Sequence, residues 1–466
     1  MKRIIILCLI LSLLLLACVP TPEEEFVVNK ADGTLEDKLS SEPVAEFTAD
    51  PNTQEAAKNP LYDALGAPER WTMEPETRSV PFADLTIVAD AEVVLPNVGK
   101  VSVYETAQRG FSEATLAAVT DTLLGDGERY EFEEGFLKSE WAERIKRQQK
   151  RIENIQKQPE KYEGWLEETL EQEQESLMRL SEQYTNAPAD YACVPWRGSY
   201  RTGCMTRVSD GVYAKLRVMS DRLIFSLPTM RSAPHGIYAV TPDKTGTPEA
   251  DEACAVVEAF LARAGLSDAY TVTRIQELTP PPDVREDDNE ISGYEVSLLP
   301  VYSGITAAAY WTGHGSDTAQ QAAVKKGLFE EPDYDEKIGP EYIDVVVEDG
   351  QIVYLDWSNH FERGACVNEN VPLLPFADVE RVIKNALFTE HFLDEGINDT
   401  VHVVRIELNM MRVRQKDAAD ICYFLPVWDV LAYGTAWNDA EPVLFTTAYV
   451  TVNAIDGTRI DRTAGY

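Results

Sequence analysis

The chain has 466 residues, with 42 Lys and Arg against 79 Asp and Glu, for a formal net charge of −37. A surface this acidic is repelled by phosphate backbones, anionic lipid headgroups and teichoic polymers, which argues against nucleic acid and peripheral membrane docking. A well-solvated soluble surface explains the charge better than capture of cations or basic peptides does.

Residues 1–17 begin with Lys2 and Arg3 and continue as an apolar run to Leu16, too short to span a bilayer comfortably. The small residue before Cys18 then makes this a signal peptide rather than an anchor helix. Leu15-Leu16-Ala17-Cys18 resembles a lipobox, in which the cysteine is diacylated and becomes the new amino terminus. The resemblance implies lipidation at Cys18, a cell-membrane location on the extracytoplasmic face, and a membrane partner reached only through the anchor. Two or three acyl chains hold a body at the surface where one would bind marginally. Residues 18–78, rich in Pro, Glu, Asp, Ala and Ser, read as a flexible acidic tether.

Order is expected from about Val80, in a domain over 79–235. Leu85–Leu95 and Lys100–Tyr104 have strand character, and Ser112 caps a helix that Gly125 stops. Within 139–185 the pattern turns helical. A basic arm carries Arg144, Arg147, Lys150 and Arg151, and an acidic arm follows with Glu167, Glu168, Glu171 and Glu175. Ile145, Ile152 and Ile155, then Leu166, Leu170, Leu177 and Leu180, recur at three- and four-residue spacing, which predicts an antiparallel helical hairpin. Such a hairpin more often packs on its own domain than serves as a partner-binding finger.

Two later segments, 250–362 and 372–466, repeat one order: a helix (Glu252–Ala264; Phe376–Phe388), two strands, then an Asp-Gly hairpin. Tyr294–Tyr302 (YEVSLLPVY) and Cys422–Trp428 (CYFLPVW) share Leu-Pro-Val-aromatic, and Asp349-Gly350 matches Asp456-Gly457. Asp-Gly between β-branched runs predicts a type I′ turn, whose two central residues need positive φ. The fold class is therefore α+β: repeated helix-plus-antiparallel-sheet units with an inserted antiparallel helical hairpin. Ser112–Leu227 is a candidate third copy.

The helix followed by a sheet ending in strand–Asp-Gly–strand (VTVNAIDGTRI) resembles small extracytoplasmic PepSY-type modules. It is also similar to the paired domains of the envelope regulators of the essential Gram-positive two-component kinase. The entire chain, lipobox and Phe26–Lys30 included, resembles a family of uncharacterised lipoproteins from gut-associated Gram-positive bacteria. These resemblances imply binding and regulation of another envelope protein or peptide, and no catalytic residues carry over from them.

The residues themselves offer little chemistry. The histidines (His235, His314, His360, His391, His402) form no HExxH and no i, i+4 pair, and no nucleophile elbow or P-loop occurs at a strand–helix junction. His314, between two glycines, is the most suggestive of them. Asp287–Glu290 and Glu330–Glu336 are oxygen-rich without EF-hand spacing. Cysteines 193, 204, 254, 366 and 422 form no CxxC, so neither a metal nor a cofactor is expected. Cys193 and Cys204 either close a local disulfide or remain small apolar residues. Tyr302, Trp311, Trp357 and Trp428 either line a groove between the two repeats or pack in cores. The expected function is non-enzymatic protein or peptide contact. A ligand-binding lipoprotein for peptide or glycan is the alternative, and an envelope hydrolase comes third.

Overall fold

A computed structural model describes residues 35–47, 59–80, 83–162, 164–227, 239–240, 247–279, 293–308, 340–388, 400–415, 418–434, 443–444 and 448–460. In chain order the elements are α1 (Leu35–Leu39), α2 (Pro60–Leu65), β1 (Arg70–Val80), β2 (Ala83–Val94), β3 (Val103–Arg109), α3 (Glu113–Leu124), β4 (Arg129–Glu131), α4 (Lys138–Lys157) and α5 (Leu166–Asn186). They continue with β5 (Cys204–Ser209), β6 (Val212–Val218), β7 (Leu223–Ser226), β8 (Ala239–Val240), α6 (Pro248–Ala264), β9 (Tyr270–Thr279), β10 (Gly293–Tyr302), β11 (Ile305–Thr306), β12 (Tyr342–Glu348) and β13 (Gln351–Ser358). The last are β14 (Phe361–Asn368), α7 (Phe376–Ala386), β15 (Thr400–Gln415), β16 (Ala418–Gly434), β17 (Val443–Leu444) and β18 (Val450–Asn453). The fold class is α+β.

The chain divides into two compact units, each assembled from separated segments. Met1–Glu105, Ser303–Ile338 and Ala365–Tyr466 form the first; Thr106–Tyr302 and Gly339–Gly364 form the second. This replaces the expected three-domain division. Residues 79–105 and 303–338 fall with the carboxy-terminal repeat, and the remainder of 79–235 falls with the rest of the segment expected as a separate unit over 250–362.

In the first unit β1 and β2 form an antiparallel pair, and β2 runs parallel to β15. The sheet is therefore mixed, where an antiparallel one was expected. The strand β16 pairs with β15 along one edge and with β3, β18 and β17 along the other. Part of the stretch expected as tether is folded here. Asn59 caps α2 by accepting from Leu61 N at 3.1 Å, and Gly66 ends the helix in the left-handed conformation. Leu39, Leu61, Leu65 and Trp71 are all buried. Asn368 donates to the carbonyls of Leu39 and Ser41, and Asn370 to those of Val44 and Ala45, which pins the strap between α1 and Phe47. A few large apolar side chains and two buried amides are enough to order a composition that otherwise reads as solvated.

The second unit holds a sheet in the order β4-β5-β6-β7-β13-β12-β10-β9-β8, antiparallel throughout. It consists of two helix-then-meander copies, α3 with β4–β7 and α6 with β9, β10, β12 and β13. The copies meet last strand to last strand, Leu223 opposite Trp357 and Phe225 opposite Leu355. Ser112–Leu227 thus repeats the order of its neighbour. Both helices bury their apolar stripes in one core, Leu116 and Val119 from α3 and Val257, Phe260 and Leu261 from α6, against Leu216, Phe225, Leu298 and Trp357.

The carboxy-terminal repeat also holds in strand order, since β9-β10-β12 and β15-β16-β18 follow α6 and α7 in the same sequence. The motif that suggested it does not mark equivalent positions. The third strand pairs with Tyr294–Leu298, before Pro300, in one copy and with Val427–Val430, after Pro426, in the other. A proline gives no donor to a ladder, so each ladder stops beside it. The turns differ as well. Asp349 (φ 48°) and Gly350 (φ 72°) make the expected type I′ turn. At Asp456-Gly457 only the glycine has positive φ, and the loop closes over four residues with Asn453 N donating to Thr458 O at 2.8 Å.

Candidate functional site

The helical hairpin is an insertion in the second unit's sheet, leaving after β4 and returning before β5. Its arms α4 and α5 pack chiefly on each other, with Ile152 and Ile155 buried between them. Arg151 reaches Glu173 at 3.0 Å, and Gln148 Nε2 donates to the Glu173 carboxylate at 2.6 Å, so the opposite charges of the arms do meet. These contacts are half-exposed and weak; the apolar seam sets the pairing. Along α5 no residue is buried. Trp165 and Met178 are each 69% exposed, and Tyr184 also faces solvent. Lying along its own domain, the commoner fate for such a hairpin, would have buried those side chains.

The hairpin's root is held firmly. Leu137 sits in a small core with Tyr191, Met205 and Tyr213 on the side of the sheet away from α3 and α6. Leu137 N donates to Glu140 Oε2 at 2.6 Å, closing the first turn of α4, and Lys138 N donates to Pro188 O at 2.9 Å, tying the two ends of the insertion together. Lys215 is buried beneath them, its Nζ 4.3 Å from the Tyr191 ring centroid and donating to Gly135 O at 2.9 Å and to the Tyr191 hydroxyl. Burial lowers the Lys215 pKa and raises that of Tyr191. Tyr213 Oη donates to Asp190 at 2.6 Å and accepts from Arg207 Nε at 2.9 Å, and the Tyr213 bond holds the Asp190 carboxyl low. These groups satisfy one another and together fix the direction in which α4 leaves the sheet.

A second titratable cluster lies elsewhere in this unit. Glu341 Oε1 accepts from Tyr270 Oη at 2.6 Å, from Trp357 Nε1 at 2.9 Å and from His360 Nδ1 at 2.7 Å. His360 Nε2 lies 3.4 Å from Glu362, whose Oε1 also accepts from Ser112 N at 2.7 Å and Thr115 Oγ1 at 2.8 Å. The imidazole stacks on Phe111 at 4.5 Å. Burial opposes the charge on His360, but Glu341 and then Glu362 outweigh it and push the pKa up to about 9. Burial likewise opposes ionisation of Glu362, yet the bonds from His360, Ser112 and Thr115 hold it down at about 2. Glu341 is also lowered, because the neighbouring imidazolium overcomes its desolvation. The result is a cation clamped between two carboxylates and enclosed by Phe111 and Trp357. It joins the N-cap of α3 to the segments before β12 and at the start of β14. Each member bonds to a neighbouring protein group, although the second carboxylate oxygen of Glu341 is buried without a hydrogen-bond partner among the described residues.

Sequence reasoning singled out His314 and gave His360 no role; the only local sign at His360 was Glu362 two residues on. The expected groove aromatics separate. Trp357 is fully buried in the second unit's core, Trp428 is fully buried in the first unit's core against Phe376, and Tyr302 is buried beneath Arg363. Cores claimed them because each lies on an inward-facing strand position. Cys193 and Cys204 are free thiols. A disulfide is ruled out by their placement, Cys204 in the main core and Cys193 in the small one on the opposite side of the sheet, with its Sγ 3.1 Å from Tyr213 Oη. Cys18, Trp311, His314 and the loops 287–290 and 330–336 lie outside the described residues. Among the described residues no His, Cys, Asp and Glu group is arranged to hold a metal ion, and no helix is long and apolar enough to cross a membrane.

No family model matches the chain, and no curated protein matches it. Among solved structures it is similar to an uncharacterised protein from Eubacterium rectale ATCC 33656, determined at 1.45 Å. The similarity has 12% sequence identity and a TM-score of 0.42, and covers 91% of this chain and 97% of that one.

Proposed function

We propose that this chain is a lipid-anchored extracytoplasmic binding or regulatory protein of the bacterial envelope, acting through protein contact without catalysis, and that the helical hairpin is its contact surface. The observation that carries the reading is a firmly rooted pair of helices whose outer arm buries no residue and leaves Trp165 and Met178 in water. Exposed Trp on a rigid element is the usual anchor of a protein interface, since it contributes large apolar area at little cost in side-chain freedom. The lipobox-like Leu15–Cys18 and the likeness to PepSY-type regulators support the address and the class of partner.

Two experiments test separate parts. A photo-crosslinking residue placed at Trp165 or Met178 in cells is expected to give discrete protein adducts, while the same residue at exposed Glu113 on α3 gives none. No adduct from the hairpin, or the same adducts from Glu113, overturns the contact surface. Cys18→Ala is expected to leave the signal uncleaved or release the protein from the membrane fraction. Unchanged processing and fractionation would remove the anchor from the reading and leave the hairpin untouched.

A further inference from the structure

One segment of the first unit, Lys38–Phe47, is held almost wholly by its main chain. Asn368 Nδ2 donates to the carbonyls of Leu39 at 3.2 Å and Ser41 at 3.1 Å. Asn370 Nδ2 donates to those of Val44 at 3.1 Å and Ala45 at 2.9 Å. In return Val44 N donates to Asn370 O at 2.9 Å and Phe47 N to Gly99 O at 2.8 Å. The side chains of this strap contribute little. Leu39 is buried, but Glu42, Pro43, Val44, Ala45 and Glu46 are all exposed. Lys38 Nζ reaches Ile455 O at 2.9 Å, and Glu46 makes an exposed ion pair with Lys100 at 2.9 Å.

The receiving side is arranged without help from the strap. Asn368 Oδ1 accepts from Asn370 N at 3.0 Å, and Asn370 Oδ1 accepts from Val101 N at 2.9 Å. Both amides are thus oriented by the body, and all four of their hydrogens are aimed at the strap. Two main-chain carbonyls, of Asn370 and Gly99, complete the surface. Such an array reads the backbone of an extended chain whatever its side chains, and leaves specificity to a pocket, here the one that takes Leu39. The strap is also held lightly. Ordering Lys38–Phe47 costs conformational entropy at every residue, its hydrogen bonds replace bonds to water, and a single leucine is buried in return. Segments with so few buried apolar contacts open far below the global unfolding free energy.

We infer that this surface is a peptide-binding groove, occupied in cis by the strap, which also takes an extended peptide in trans. The ligand carries a leucine-sized residue for the pocket and, seven residues on, an acidic residue for Lys100. The side chains between them face solvent and are free to vary. This site is separate from the hairpin and does not rest on it.

Fluorescence polarisation of a labelled Asp37–Thr48 peptide on the full chain tests this. The strap lowers the apparent affinity by the fraction of time that it is off, so Leu39→Asp in the chain is expected to tighten peptide binding by about tenfold or more. Adding Asn370→Ala to that variant is expected to weaken the peptide about tenfold, with thermal midpoints reporting that both proteins are folded. In the peptide, Leu39→Asp is expected to abolish binding, whereas Glu42→Gln with Ala45→Ser leaves it unchanged. Hydrogen exchange on the unaltered chain needs no variant: the Val44 and Phe47 amides are expected to exchange roughly a hundredfold faster than those of the central strand β16. Absence of saturable binding to the Leu39→Asp chain overturns the proposal. So does full affinity after Asn370→Ala, loss of binding by the Glu42→Gln, Ala45→Ser peptide, or Val44 exchange as slow as that of β16.

Discussion

Replacing His360 by leucine is expected to destabilise the second unit by about 3–5 kcal/mol, measured by denaturant unfolding with Trp357 fluorescence as the reporter. The leucine fills much of the space beside Phe111, so little of this loss comes from a cavity. It comes from stranding Glu341, buried and bonded to His360 at 2.7 Å, without its counter-charge. Leucine at both 360 and 341 should recover part of the loss, because no uncompensated charge remains. That recovery separates a charge effect from a packing effect.

The pH dependence follows from the same bonds. The His360 pKa is raised in the folded state to about 9, above roughly 6.5 in the unfolded chain. Its contribution is therefore complete below about pH 6.5 and is lost as pH rises through about 9. Glu362 is lowered to about 2, so its contribution is present above roughly pH 4.3 and is lost as pH falls through about 2. Stability should be flat between those limits, and His360→Leu should remove the alkaline slope. An unchanged alkaline limb in that variant, or a loss under about 1 kcal/mol, would show that the imidazole is not the cation the cluster depends on.

Gly110→Ala is the second large effect. Gly110 has φ +88°, and a Cβ there would fall 2.0 Å from the Ser220 carbonyl oxygen and 3.0 Å from its carbon. Both obstacles are backbone. Neither can swing aside, because Gly110 N donates to His360 O at 2.8 Å and the Asp221 carbonyl accepts from His360 N at 3.0 Å. The expected cost is about 3 kcal/mol or more, combining left-handed strain with displacement of a hydrogen-bonded turn. Gly350→Ala is the control, with a similar φ of +72° and nothing nearer than 3.8 Å, and should cost only about 1 kcal/mol. Equal midpoints for the two variants would remove the steric part of the argument.

The parts of this fold that could be read from sequence are those whose cause is local. Ser112 and Gly125 bound α3 because a side-chain cap and a glycine stop act within one turn, and Ser112 Oγ accepts from Thr115 N at 3.1 Å. The hairpin was legible from seven-residue neighbourhoods of charge and isoleucine, and Asp349-Gly350 from two residues. What stayed hidden depends on partners far along the chain. Nothing near Leu223 announces that it pairs with Trp357 and fuses two meanders into one sheet. The strand β1 was masked by Pro75 and its charges, which mark an edge strand with a bulge as readily as a solvated tether. The ion cluster draws on Ser112, Tyr270, Glu341 and His360, and no window of the sequence contains them together. Asp456-Gly457 misled because a four-residue loop and a type I′ turn use the same dipeptide.

The parallel pairing of β2 with β15 sets Thr86 beside Thr400 and Val93 beside Ile406. An amino-terminal strand thus waits for most of the polypeptide to be made before its neighbour exists. Until then Leu85–Val94 offers a bare row of amides and carbonyls, with valine and isoleucine side chains, to any other newly made strand. Slow maturation of the first unit is the expected result of that connectivity, whereas the second unit can close its sheet about a hundred residues earlier.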